Sequence, residues 1–204
     1  MGITLPAFTP LEDSLWLTLC CRALDSRSPH PILGDAMADE IVRSLDYDYG
    51  QLHIDANLIV NVALRAKKLD EMASGFLARH PDAVAADGLM GFLSQDELVS
   101  LLNRLVSHFP SGEMVFNSDT KFAIWAAKHS RGTQSVSELI KFPGFDDPRE
   151  PEGWNPKLKL VKEILLSRQP EVSEFPPALR LYYQLEAHST AWSRKGTIVL
   201  HCRF

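Results

Sequence analysis

The strongest constraint on this chain is a long helix that runs almost directly into a strand. From about Ala56 to Arg79, the residues Ile59, Val62, Ala63, Ala66, Leu69, Ala73, Phe76 and Leu77 recur at helical spacing and form one apolar stripe. Arg65, Lys67, Lys68, Asp70 and Glu71 lie largely off that stripe, and Pro81 stops the helix. The next residues, Ala83-Val84-Ala85-Ala86-Asp87-Gly88, read as a short strand over 83–87. Ser94 then opens a helix through the capping box Ser94-x-x-Glu97, with Leu93 and Leu98 as a hydrophobic staple around it. Its buried face is Leu98, Leu101, Leu102, Leu105, Val106 and Phe109. After the turn Pro110-Ser111-Gly112, residues 113–117 form a second strand. Strand, helix and strand in this order favour a parallel pair joined by a right-handed crossover. The expected class is α/β.

The remaining segments fill in around this unit. A first helix spans about 11–25, with Leu11, Leu15, Leu19 and Leu24 near helical spacing. Pro29, Pro31 and Gly34 mark a loop, Asp35 caps a short helix to about Leu45, and 46–50 is a polar turn. Residues 120–128 read as helix, with Asp119 as its local cap, and 132–156 as a loop rich in Gly and Pro. A third strand is expected at 158–165, a helix at about 178–190 and a terminal strand at 196–204. With 204 residues and 45% hydrophobic composition, one packed domain with a helical cap is the natural size.

Net charge is −5 and no basic stripe stands out, so nucleic acid is not an expected partner. No apolar stretch approaches a membrane span. Cys20, Cys21 and Cys202 make an odd set without a disulfide framework and read as small buried hydrophobes in a reducing, cytoplasmic setting. The histidines show no zinc-ligand spacing, so no metal site is expected.

Several segments together resemble one family. Leu24-Asp25-Ser26-Arg27-Ser28-Pro29-His30-Pro31-Ile32-Leu33-Gly34-Asp35, the run Ile41 to Tyr49, and Ala63-Leu64-Arg65-Ala66 followed by Phe76 to Pro81 resemble the cap of leucine-carboxyl-methyltransferase-like proteins, specifically their tetracenomycin-type polyketide O-methyltransferase branch. Ala86-Asp87-Gly88-Leu89-Met90-Gly91-Phe92-Leu93 is similar to that family's fourth-strand motif, and 109–116 to the segment around its fifth strand. The resemblance implies an incomplete Rossmann-like methyltransferase fold, with residues 1–81 as a helical cap and long connecting helix and 82–204 as the remaining core. It also implies S-adenosylmethionine as cofactor and a small molecule as methyl acceptor. Family members carry a Gly-x-Gly turn and an acidic ribose-binding strand end after the long helix. This sequence contains no Gly-x-Gly at all, and the flanks of the absent block lie side by side. At about 30 residues per strand–helix unit, the omission amounts to roughly 60–90 residues.

Two residues match remaining family roles. Arg65 matches the cap-helix arginine that holds the cofactor carboxylate, and Asp87 the acid at the fourth strand's end, with Gly88 beside it. Arg22 lies near a basic position of the cap. The aromatic residues Tyr47, Tyr49, Trp125 and Trp154 are candidates for a substrate mouth or for core anchors. Two functions compete: a carboxyl or hydroxyl O-methyltransferase, and a shortened, silent homologue that binds or dimerises through a sheet edge exposed by the missing block.

Overall fold

The computed structural model describes residues 3–4, 10–46, 48–77, 90–129 and 139–204. The expected strand at 83–87 lies outside these residues, together with Asp87, Gly88 and Tyr47.

Most local signals hold where they can be compared, although Phe109, expected on the buried face of the helix opened by Ser94, is 40% exposed. Helix α1 spans Pro10–Ser26 and α2 spans Ala36–Ser44, with the Asp35 side chain accepting from the Ala38 N–H as N-cap. Helix α3 runs Ala56–Leu77. Helix α4 covers Gln95–His108 and begins on the complete capping box: the Glu97 N–H donates to Ser94 Oγ, and the Ser94 N–H donates to Glu97 Oε2. Strand β3 is Glu113–Asp119 and helix α5 is Lys121–His129. The loop expected at 132–156 contains a one-turn helix, α6, at Glu150–Trp154. Strand β4 is Lys159–Leu165. The helix expected at 178–190 divides into α7, Pro177–Ala187, and α8, Thr190–Ser193, before the terminal strand β5, Thr197–Arg203. In the expected turn after α2, Leu45–Asp46 (β2) pairs in parallel with Ile3–Thr4 (β1).

Chain order does not reveal the strand order, which is β3-β5-β4. The last strand inserts between the two earlier ones and runs antiparallel to both, so β3 and β4 point the same way. Position explains the composition of β5. Ile198, Val199 and Leu200 are fully buried, because a central strand is covered on both faces.

Those faces define three layers. On one side Val199, Ile164 and Val115 meet Val60, Ala63, Leu64 and Leu69 of α3, together with Phe175 and Tyr183. On the other side Ile198, Leu200, Cys202, Phe116 and Leu165 meet Leu98 and Leu102 of α4 and Phe142, Phe145 and Leu158. Each fully buried Leu, Ile or Phe contributes about 1.5–3 kcal/mol, so these clusters dominate the stability of the domain. The mixed α/β class expected from the sequence is the observed one.

Three details depart from the sequence reading. Ser14, Leu17, Cys21 and Asp25 form one buried face of α1, with Cys20 and Ala23 also buried, whereas Leu15 is 66% exposed. Helical geometry sets this face by the 14-17-21-25 spacing rather than by the leucine series. Lys68 sits inside the fold at 7% exposure, because Glu171 approaches from a distant turn to neutralise it at 2.6 Å. Asp119 is not the cap of α5: it ends β3 and accepts a bond from Thr197 Oγ1 at 2.6 Å. Thr120 Oγ1 performs the capping, accepting from the Ala123 N–H at 3.2 Å.

Candidate functional site

The cap is organised around a buried carboxylate. Asp25, 2% exposed at the end of α1, accepts backbone N–H bonds from Ile32 at 2.9 Å, Leu33 at 2.9 Å and Gly34 at 3.0 Å. Three donors converging on one carboxylate fold the 26–34 segment back over the helix. Gly34 adopts φ +71°, which only glycine reaches without strain, and so lets the chain turn into the Asp35 cap of α2. The motif that carried the family resemblance is therefore a structural knot. Ion pairs reinforce it between the α1 end and the α2 start, Arg22 with Asp35 at 2.6 Å and Arg27 with Asp39 at 2.6 Å, while Arg43 pairs with Asp39 at 2.9 Å within α2 itself. The two arginines hold the Asp39 carboxyl below its usual range.

Of the expected site residues, the structure places Arg22 and Arg65. Arg65 is half-buried on α3 beside Cys21 of α1. Burial pushes the Cys21 thiol up to about 12; Cys20 adds to the rise, while the Arg65 guanidinium opposes it. Arg22 turns the other way, toward Asp35 on α2, and its Nε is buried without a hydrogen-bond partner among the described residues. The two arginines sit on neighbouring packed helices, α1 and α3. Asp87 and Gly88 lie outside the described residues.

The other relevant edge is where β3 and β4 end. In open α/β sheets, ligands gather at carboxyl strand ends. Ser118 Oγ, near the end of β3, and Ser167 Oγ, just after β4, are buried there with no hydrogen-bond partner among the described residues. The loop at 143–147 packs onto the β3–α5 turn. Gly144, at φ +76°, comes so close that an added Cβ would lie 2.8 Å from the Asp119 carbonyl oxygen. No sequence signal marks these serines or this contact, since both arise from segments distant in the chain.

The aromatic candidates separate. Trp154 is a core anchor, edge-on to Phe142 at 6.3 Å and to Phe145 at 5.8 Å. Tyr49 packs against the Ala23, Ala38 and Val42 cluster of the cap. Trp125 is 56% exposed. An open depression lined by Ser100, Asn103, Arg104, Ser107 and His108 lies along α4, away from both arginines. Among the described residues, no group of His, Cys, Asp and Glu is placed to hold a metal ion, and no helix is long and apolar enough to cross a membrane.

No family model matches the chain. It is 25% identical to the tetracenomycin polyketide synthesis O-methyltransferase TcmP of Streptomyces glaucescens over 246 aligned positions, spanning 87% of this chain and 90% of that protein. It is 28% identical over 180 positions to the S-adenosyl-L-methionine-dependent methyltransferase dpfgK of Gibberella zeae, spanning 74% of this chain and 60% of that protein. The first alignment uses about 177 residues of a 204-residue chain, so roughly 70 of its 246 positions have no counterpart here. By the same reckoning the second alignment leaves roughly 30 of its 180 positions unmatched. The chain is thus similar to these two methyltransferases, and it is shorter than each of them within the aligned region.

Proposed function

We propose that this protein is an S-adenosylmethionine-dependent O-methyltransferase acting on a carboxyl or hydroxyl group of a small, polyketide-like molecule. In this reading, residues 1–81 form the cap and 82–204 form what remains of a Rossmann-like core, in the cytoplasm. The supporting observation is the combination of relatives and layering. Two methyltransferases align with 87% and 74% of the chain, and α3, which carries Arg65, packs directly on the faces of β3 and β5.

The cofactor supplies a methyl group already activated on a sulfonium, so the chain's own task is to bind, align and exclude water. In this reading the cofactor's amino-acid end is assigned to Arg65, which is on the expected helix, with Arg22, whose Nε is buried without a hydrogen-bond partner among the described residues, as the second basic group. The nucleoside end is not matched, because the sequence has neither a Gly-x-Gly turn nor the acidic strand end that would hold the ribose. A charge-assisted arginine–carboxylate contact contributes about 1.5–3 kcal/mol, whereas micromolar binding requires about −8 kcal/mol. Binding near 0.1–1 mM, about −5.5 to −4 kcal/mol, is therefore the expectation. Calorimetric titration with S-adenosylmethionine tests the reading: saturable heat, reduced at least fivefold in affinity by Arg65→Ala, supports it, and no heat at millimolar cofactor rejects it.

One observation favours a second reading. The roughly 70 unmatched positions against the first relative are enough for two strand–helix units, the size of a cofactor cradle. A chain that lost them would be a silent homologue that self-associates through a sheet edge. A monodisperse monomer at high concentration would count against it.

A further inference from the structure

Large apolar side chains rarely stand exposed side by side without a purpose. Here Phe122 is 48% exposed, Trp125 56% and Trp192 53%. They form one surface from two helices. Phe122 and Trp125 pack on α5 with ring centroids 5.8 Å apart. The Lys195 ammonium lies over the Phe122 ring at 5.4 Å and over the Trp192 ring at 5.6 Å, joining α5 to the end of α8. Behind Trp125, His129 stacks at 4.6 Å and fixes the indole.

The topology gives this patch its position. Helix α5 starts immediately after β3 ends, and Lys195 precedes β5 by two residues. Asp119 and Thr197 are paired across the sheet, so the patch caps the carboxyl end of β3. The presented chemistry is equally specific. Aromatic faces offer stacking area, and a lysine held over two rings offers one positive charge at their margin. Glu186 lies within electrostatic reach of Lys195, but it is half-buried on α7 and bonded to Tyr182, and its carboxyl is raised by burial first. It therefore offsets the ammonium only in part.

We infer that Phe122, Trp125, Trp192 and Lys195 form the acceptor platform, which takes a planar aromatic molecule bearing an acidic carboxylate or phenolate. The ring system stacks on the indoles while its anionic group meets Lys195. This deepens the methyltransferase reading and rests on it for the word acceptor. Binding of an aromatic anion does not depend on that reading. The other occupant of such a surface would be a second copy of the chain.

The experiment is titration calorimetry of the whole protein with 3-hydroxy-2-naphthoate, without S-adenosylmethionine, and with naphthalene-2-carboxamide as the uncharged control. The expected result is saturable binding of the naphthoate, weakened at least tenfold by Trp192→Ala and about fivefold by Lys195→Gln. The carboxamide should bind at least fivefold more weakly than the naphthoate and be indifferent to Lys195→Gln. Circular-dichroism melts matching the unaltered protein exclude unfolding of these surface variants. Absence of heat at millimolar naphthoate would overturn the inference, as would equal affinity in both variants. So would sedimentation showing a dimer that Trp125→Ala/Trp192→Ala dissolves. Failure here with cofactor heat intact removes the platform alone. Cofactor heat missing with naphthoate binding intact removes the methyltransferase reading alone.

Discussion

Replacing Lys68 by Met probes how α3, the arginine-bearing helix, is fastened to the core. Lys68 Nζ donates to Glu171 Oε1 at 2.6 Å and to Glu71 Oε2 at 3.0 Å. The Lys68 and Glu171 side chains are only 9% and 12% exposed. A hydrogen bond between charged groups contributes about 1.5–3 kcal/mol, and leaving one partner buried alone costs more. Lys67, 3.3 Å from the same Glu171 oxygen, offsets part of that loss. Lys68→Met should therefore destabilise by about 2 kcal/mol, as should Glu171→Gln. At about 2–4 °C per kcal/mol for a domain of this size, each lowers Tm by about 4–8 °C. The double variant should fall short of the sum by about 1–2 kcal/mol, since the two changes remove the same contact. Acidity gives an independent signature. Burial raises the Glu171 carboxyl, but the bonds from Lys68 outweigh it, so its folded pKa lies below the ordinary value. Its contribution is complete above the unfolded carboxylate range, about 4.3, and is lost as pH falls through the depressed folded value. Lys68 is likewise pulled down by burial and raised on balance by Glu171 and Glu71, so its contribution persists below about pH 10.4 and fades only above it. Thermal melts of the four proteins from pH 3 to 9 should show a constant gap above pH 5 that closes on acidification. A gap that stays constant down to pH 3, or strictly additive variants, would refute this reasoning.

Three further outcomes follow from the geometry. Asp25→Ala should remove 2–4 kcal/mol, about, by stranding the three N–H groups of Ile32, Leu33 and Gly34, and hydrogen exchange should rise first at those amides. Gly144→Ala must place a Cβ 2.8 Å from the Asp119 carbonyl oxygen at φ +76°, so denaturant unfolding should register a loss of at least about 2 kcal/mol. Cys20, Cys21 and Cys202 are buried, and burial raises all three thiols, Cys21 and Cys202 to about 12. Ellman's reagent at pH 8 should therefore see no thiol in the native protein and three in guanidinium.

What the sequence revealed was mostly local. The Ser94–Glu97 box, the Asp35 cap and the terminal strand β5 all depend on neighbours within a few residues, and they appear where expected. Features set by distant partners were not legible. Lys68 looks like a solvated helix lysine until Glu171 arrives from 103 residues away. Asp119 looks like a helix cap until β5 brings Thr197 beside it. The insertion of β5 between β3 and β4 leaves no mark on either strand's own pattern. For the candidate site, a motif resemblance singled out Arg22 and Arg65, but it did not show that Arg22 is tied to Asp35. The platform on α5 and α8 was half visible: Trp125 stood out as aromatic, whereas its union with Trp192 and Lys195 depends on the fold.

The central claim is that the chain still takes S-adenosylmethionine on the arginine-bearing helix. Its most direct test is calorimetric titration of the cofactor into the unaltered protein and into Arg65→Ala. Saturable heat with a Kd of about 0.1–1 mM, weakened at least fivefold in the variant, is the expected result. No heat at millimolar cofactor, or identical curves for the two proteins, would contradict it.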